Sequence, residues 1–211
     1  MKTNLDLVAK NILALLNKNC QHIVNKISLT STRAVGDAIQ EYIAQKGLPL
    51  ALKGVDIENE FTRRSMEDVA FSDKEGNYYA VDVKTHNLTT RFSMPNLISV
   101  QRLANFYKNK QNNFCILIVS YETDGNKIIY KDCYFKPIET FSWDCLTLGA
   151  LGWGQIQIAN ASKLKFCKSQ NRKKWMLELC NNLEEFYNAE IGKIKERKAW
   201  FTEIRKYWEK Q

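Results

Sequence analysis

The segment that most constrains the fold runs from Met66 to Lys84. Val69 to Phe71 and Tyr78 to Val83 are rich in aromatic and β-branched residues, and Asp73-Lys74-Glu75-Gly76-Asn77 between them carries turn chemistry. That pattern predicts a β-hairpin. With the turn centred near Glu75, antiparallel pairing sets Asp68 opposite Asp82, and strand alternation puts Lys84 on the face of Asp82. Like charges opposed across two strands at about 4.5–5.5 Å destabilise the pairing. A divalent cation bound between them would offset that repulsion. A β-bulge would change the register, and the plainest alternative for Lys84 is a surface lysine paired with Asp82.

Around the hairpin the chain reads as alternating helices and strands. Leu5, Val8, Ile12, Leu15, Leu16 and Ile23 recur at helical spacing over Leu5 to Ile27. A polar break follows at Ser28 to Arg33. A second helix is expected from about Thr32 to Gln45, with Val35, Ile39, Tyr42 and Ile43 on one face and Gly47 as its stop. Leu48 to Asp56 reads as a connector, and Thr85 to Asn96 as a polar segment. A helix from Leu97 to about Lys108 comes next.

Phe114 to Ser120 is a continuous apolar run, as expected of a strand buried on both faces. The 29 residues between Lys84 and Phe114 leave room for a βαβ crossover. Ile128 to Phe135 reads as an antiparallel strand after the Asp124-Gly125-Asn126 turn, and Gln155 to Ile158 as a short further strand. From about Arg172 to Glu209 the sequence is charged and helical. The expected class is α/β (α+β): a mixed central sheet of about four to five strands flanked by helices. One domain over residues 1–211 is expected, with a basic helical C-terminal region from about 172 to 211.

Composition narrows the function classes. The 211 residues are 45% hydrophobic and 26% charged, ordinary for a globular protein. No run approaches the ~18 apolar residues of a transmembrane helix, and the N-terminus lacks a secretory pattern. The six cysteines show no C-x-x-C spacing and only His22 and His86 are available, so a zinc site is not expected. Reduced thiols and a cytoplasmic location follow. A net charge of +8 points to a polyanionic partner, most simply nucleic acid.

Asp82-Val83-Lys84-Thr85-His86-Asn87, running into Pro95-Asn96-Leu97-Ile98-Ser99 and Leu103-Ala104, resembles the PD-(D/E)xK nuclease superfamily. Within it the run is similar to type II restriction endonucleases of the HincII and EcoRV branch. Arg33 to Glu41, with Gly36, resembles the Gly-containing first helix of these enzymes. The likeness covers about 75 residues, Arg33 to Tyr107. It departs at the first acid, where Glu67 precedes Asp68 in place of the motif proline; strand alternation favours Asp68 over Glu67 as the ligand.

The resemblance implies a restriction-endonuclease-like fold and Mg²⁺-dependent hydrolysis of double-stranded DNA by a homodimer, with no nucleotide cofactor and no membrane. It implies a metal held by Asp68, Asp82 and the carbonyl of Val83, and a lysine, Lys84, beside the attacking water. Glu41, from the first helix, is a further catalytic candidate. Asn96 is the first candidate for base readout, with His86, Asn87, Arg91 and Ser93 beside it; the alternative for Asn96 is a cap on the helix at Leu97. Lys163, Lys165, Lys168, Arg172, Lys173 and Lys174 suit phosphate contacts, whereas Trp175, Trp200, Phe201, Tyr207 and Trp208 read as packing residues. Two other functions fit the same letters: a nicking or junction-resolving nuclease, and a DNA-binding protein without catalysis.

Overall fold

The long apolar run from Phe114 forms the strand around which the molecule is built. In the computed structural model, which describes residues 3–24, 31–52, 54–58, 65–90, 95–125, 127–161, 163–167 and 171–211, strand β5 (Asn112–Asp124) lies between β3 (Tyr78–Asn87) and β6 (Lys127–Pro137). Adding β2 (Val69–Ser72) and β1 (Ile57–Glu58) gives a five-stranded sheet in the order β1-β2-β3-β5-β6. It is mixed: β3 and β5 are parallel and every other pair is antiparallel. The expected βαβ unit is present, with α4 (Val100–Phe106) in its crossover.

Because side chains alternate along a strand, both faces of the central strands are apolar and both are covered. Cys115, Leu117 and Val119, with Tyr79, Val81 and Val83, face a layer formed by α1 (Leu5–Val24), α2 (Thr32–Tyr42) and α3 (Leu48–Ala51). Phe114, Ile116, Ile118 and Ala80 face the opposite layer. That layer holds α4, a small antiparallel sheet and the first turns of α5 (Arg172–Trp208). The small sheet consists of β4 (Asn96–Ser99), β7 (Leu146–Gly149) and β8 (Gln155–Ile158), in the order β4-β8-β7. Trp175 closes this core: its indole N–H donates to the Phe141 carbonyl at 2.9 Å and its ring stacks on Trp143.

Three expectations are corrected. Leu97 to Ser99 is strand, not helix. A bulge between Asn96 and Ile98 lets Leu97 and Ile98 both turn inward, which mimics helical spacing, and the helix starts at Val100. Gly47 does not stop the second helix: a π turn (Ile43–Gly47) carries the chain into α3, whose first turn accepts Pro49 because no helical N–H is needed there. The strand β3 continues through Thr85, His86 and Asn87, paired with Val119 to Tyr121, so these residues belong to the sheet rather than to a polar loop.

Two close contacts fix the layers. α2 lies so near β3 that a Cβ on Gly36 would stand 2.8 Å from the Thr85 hydroxyl oxygen. The β2–β3 turn is pinned by Asp73, which accepts from the backbone N–H groups of Glu75 and Asn77, the Asn77 amide and the Tyr79 hydroxyl. Burial opposes ionisation of Asp73, but the bonds from Asn77, Glu75 and Tyr79 outweigh it and hold the carboxyl below its usual range.

Candidate functional site

The hairpin register centres on Glu75: Val69 pairs with Val81 and Ser72 with Tyr78. It departs from that register at the first acid. The Asp68 N–H donates to the Val81 carbonyl at 2.8 Å, one residue short of the expected partner, so Asp68 and Asp82 are not a directly opposed pair. Instead the Asp68 carboxylate folds over the end of the ladder and its Oδ2 accepts the Val83 N–H at 2.7 Å.

Beyond the Val69–Val81 pair no described residue pairs as a strand with β3 on that side, and two side chains take over its backbone groups. Asp68 takes the N–H of Val83, and Gln40 of α2 donates its amide to the Val83 carbonyl at 2.7 Å. Buried backbone groups need such partners. Gln40 was not anticipated from the sequence, yet it stands four residues after Gly36, on the turn that approaches β3. Glu41, expected at the site, is not brought there: it is exposed, and its carboxylate accepts from Gln45. One residue is a 100° rotation of a helix, so one of these neighbours reaches β3 and the other faces outward.

Asp82 and Lys84 share a face, as alternation requires, with Nζ 2.5 Å from Asp82 Oδ1. Asp82 Oδ2 is buried, and no donor among the described residues reaches it. Burial pushes the Asp82 carboxyl up to about 7; Lys84 opposes that shift and the charge of Asp68 adds to it.

Asp68 and Asp82 line a cleft of about 550 Å³. Its walls add Met66 and Glu67 ahead of β2, Ser99 of β4, and Gln101 and Arg102 of α4. Leu151, Gly152 and Trp153 of the β7–β8 turn, with Gln155, complete it. Glu67 therefore stands in the same cleft, with its Oε2 accepting the Met66 N–H. Arg102 and Gln101 carried no signal in the sequence, and Trp153 only a faint likeness, over Trp153 to Ile158, to a late strand of the resembling enzymes, since their approach depends on how the second sheet packs.

Among the described residues no group of three or more His, Cys, Asp or Glu side chains stands together as a metal site. A cation here would rest on two carboxylates, with water, phosphate or backbone oxygen completing the shell. Hard oxygen donors and an orphaned buried carboxylate oxygen fit Mg²⁺ in that manner.

The expected readout residues separate. His86 and Asn87 are buried, not presented to a ligand. The Asn87 side chain accepts from the Thr89 backbone and hydroxyl, closing the turn after β3. Burial also holds the His86 imidazole below its usual value. Asn96 is exposed at the start of β4, where its Oδ1 accepts from the Gln157 amide at 2.5 Å; it caps no helix. Arg91 and Ser93 lie outside the described residues, as does Lys168.

Arg172 is taken up internally. It bonds Glu139 at 3.1 Å, Asn113 and the Lys110 carbonyl, and stacks on Tyr107 at 4.1 Å. Lys165 pairs with Asp144, and Lys174 stands 4.0 Å from Glu178. Trp175 is a packing residue, as read; Trp200, Phe201, Tyr207 and Trp208 are exposed and pack against no core.

No family model and no curated protein matches the chain. Among solved structures it is similar to NlaIV restriction endonuclease, with a TM-score of 0.45 and 16% identity over 77% of this chain and 78% of that one.

Proposed function

We propose that the chain is a Mg²⁺-dependent deoxyribonuclease of the PD-(D/E)xK type, cutting both strands of a short duplex site as a type II restriction endonuclease. The observation that carries this reading is the ion-paired Asp82–Lys84 couple beside Asp68, with a buried, unpartnered carboxylate oxygen at a cleft. Burying a carboxylate oxygen without a donor is costly. A site that leaves Asp82 Oδ2 in this state suits a cation.

Asp68 and Asp82 would hold Mg²⁺, with the Val83 carbonyl as a further oxygen. When bound, the ion neutralises phosphate charge and lowers the pKa of a coordinated water. Lys84 then orients the attacking water and balances charge on the phosphoryl group, its ammonium already fixed against Asp82. Gln40 is a positioning residue: its grip on the Val83 carbonyl sets the strand between the two acids. Arg102 on the cleft wall suits a phosphate, and the Asn96–Gln157 amide pair suits a base edge. A two-fold DNA site is read most economically by a two-fold homodimer.

The test is digestion of a long DNA of known sequence with and without Mg²⁺, beside Asp82→Ala and Lys84→Ala. Discrete fragments that need Mg²⁺ and vanish in both variants are expected, and sequencing their ends gives the site. Nicked plasmid without linear product would favour a nicking enzyme. Intact DNA in every lane, with DNA still bound, would overturn catalysis.

A further inference from the structure

The turn between β7 and β8 sets two large apolar side chains in the open beside the acids. Leu151 is 63% exposed and Trp153 65%, and both line the cleft that holds Asp68 and Asp82. Exposed apolar residues scattered singly are ordinary on a protein surface. These two flank one glycine, and their backbone is held from behind. Gly152 between them has φ +59, a conformation that L side chains rarely adopt. The Gly154 N–H closes the turn on the Leu151 carbonyl at 3.0 Å. Gly154, at φ +109, lies against Val100 and Leu183, so a Cβ there would stand 3.5 Å from the one and 3.7 Å from the other. Its carbonyl accepts the Val100 N–H at 3.1 Å.

The helix α5 supplies the last clamp. The Tyr187 hydroxyl donates to the Trp153 carbonyl at 2.5 Å, at the point where the helix leaves the core. Along the arm beyond Tyr187 no residue is buried. The turn is therefore an apolar prong with its backbone tied to α4 and α5 and its two large side chains left uncovered at the cleft.

The neighbours of the prong say what covers it. The same cleft carries two carboxylates suited to a cation and Arg102 suited to a phosphate. Its volume, about 550 Å³, is of the size that encloses a nucleotide-sized group. A nucleotide whose phosphate lies at the acids brings its base into that space, and every base has a flat face on which an indole stacks. We propose that Leu151 and Trp153 form a wedge that enters duplex DNA beside Asp68 and Asp82 and unstacks one base step, the freed base face resting on the Trp153 indole. The inference rests on the reading of this cleft as a DNA site. Unstacking costs least at flexible pyrimidine–purine steps, so the wedge adds preference for such a step without a hydrogen bond to a base edge.

The experiment compares binding of a short duplex with binding of the same duplex carrying one central abasic position. It is run in Ca²⁺, a hard cation of different geometry from Mg²⁺, for wild type, Trp153→Ala, Trp153→Phe and Leu151→Ala. Wild type should prefer the abasic duplex by about 5- to 30-fold, because the gap spares the unstacking. Trp153→Phe should keep most of that ratio, Leu151→Ala should lower it, and Trp153→Ala should bring it near one. Melting temperatures should stay level, since both side chains are exposed. A wild type without the preference, or a preference that Trp153→Ala retains, overturns the wedge. Digestion of a long DNA in Mg²⁺, run in parallel, tells the two readings apart. Cutting without the preference removes the wedge alone. A Trp153-dependent preference without cutting removes the nuclease reading and leaves a wedge that binds DNA. No binding to either duplex overturns both.

Discussion

Asp82 is the residue on which most of the chemistry turns. It is raised to about 7 from 3.8, so the folded chain keeps a proton that the unfolded chain has lost. Below about pH 4 the group is protonated in both states. Between there and about pH 7 stability falls as pH rises, and the full penalty holds above 7. In chelator, Asp82→Asn should therefore melt above wild type by about 3 °C or more at pH 8, with the gap closing toward pH 4. An equal gap at both pH values would refute the assignment. Gln40→Ala should lower the cleavage rate by about 10- to 100-fold, as expected when a group that orients a ligand is lost, and lower the melting temperature by a few degrees because the buried Val83 carbonyl loses its donor, with little change in DNA affinity. Equal loss of binding and rate would make Gln40 merely structural. Asp82 and Lys84 were legible because strand alternation fixes their face. Gln40 was not, because the letters do not set the rotation of α2 about its axis.

Elements were legible where a single periodicity dominates. The β3–α4–β5 crossover, the antiparallel β6 and the hairpin centre follow from apolar runs and turn residues. The strand β4 did not, since its bulge places two successive apolar residues inward and imitates a helix. The extension of β3 through His86 and Asn87 was hidden because polar letters there are satisfied inside the fold, by the turn at Thr89 in the case of Asn87. The tightest contact between elements is Gly36 on Thr85. Gly36→Ala should cost about 1–3 kcal/mol in urea unfolding, and Thr85→Ala in the same chain should recover much of that loss by making room. A Gly36→Ala variant of wild-type stability would show that α2 shifts freely.

At the scale of the whole molecule, a mixed sheet between two covered layers puts one edge of β3 beyond its last β2 partner, and the acids gather where that ladder ends. The net charge of +8 was legible as a sign of a polyanionic partner, but not where it acts. Arg172 shows why: a residue in the most basic stretch is spent on Glu139, Tyr107 and Asn113 inside the fold. The arm beyond Tyr187 was legible as helix but not as free surface, because exposure depends on what the rest of the chain leaves uncovered. No helix among the described residues is long and apolar enough to cross a membrane.

The central claim is that Asp68 and Asp82 jointly hold a divalent cation. Its most direct measurement is a titration with Mn²⁺, a hard-ligand substitute for Mg²⁺, followed by electron paramagnetic resonance in wild type, Asp68→Asn and Asp82→Asn. Saturable binding in wild type, weakened at least about tenfold in either variant, is the predicted result. Binding unaffected by both substitutions, or no saturable binding in wild type, would contradict it.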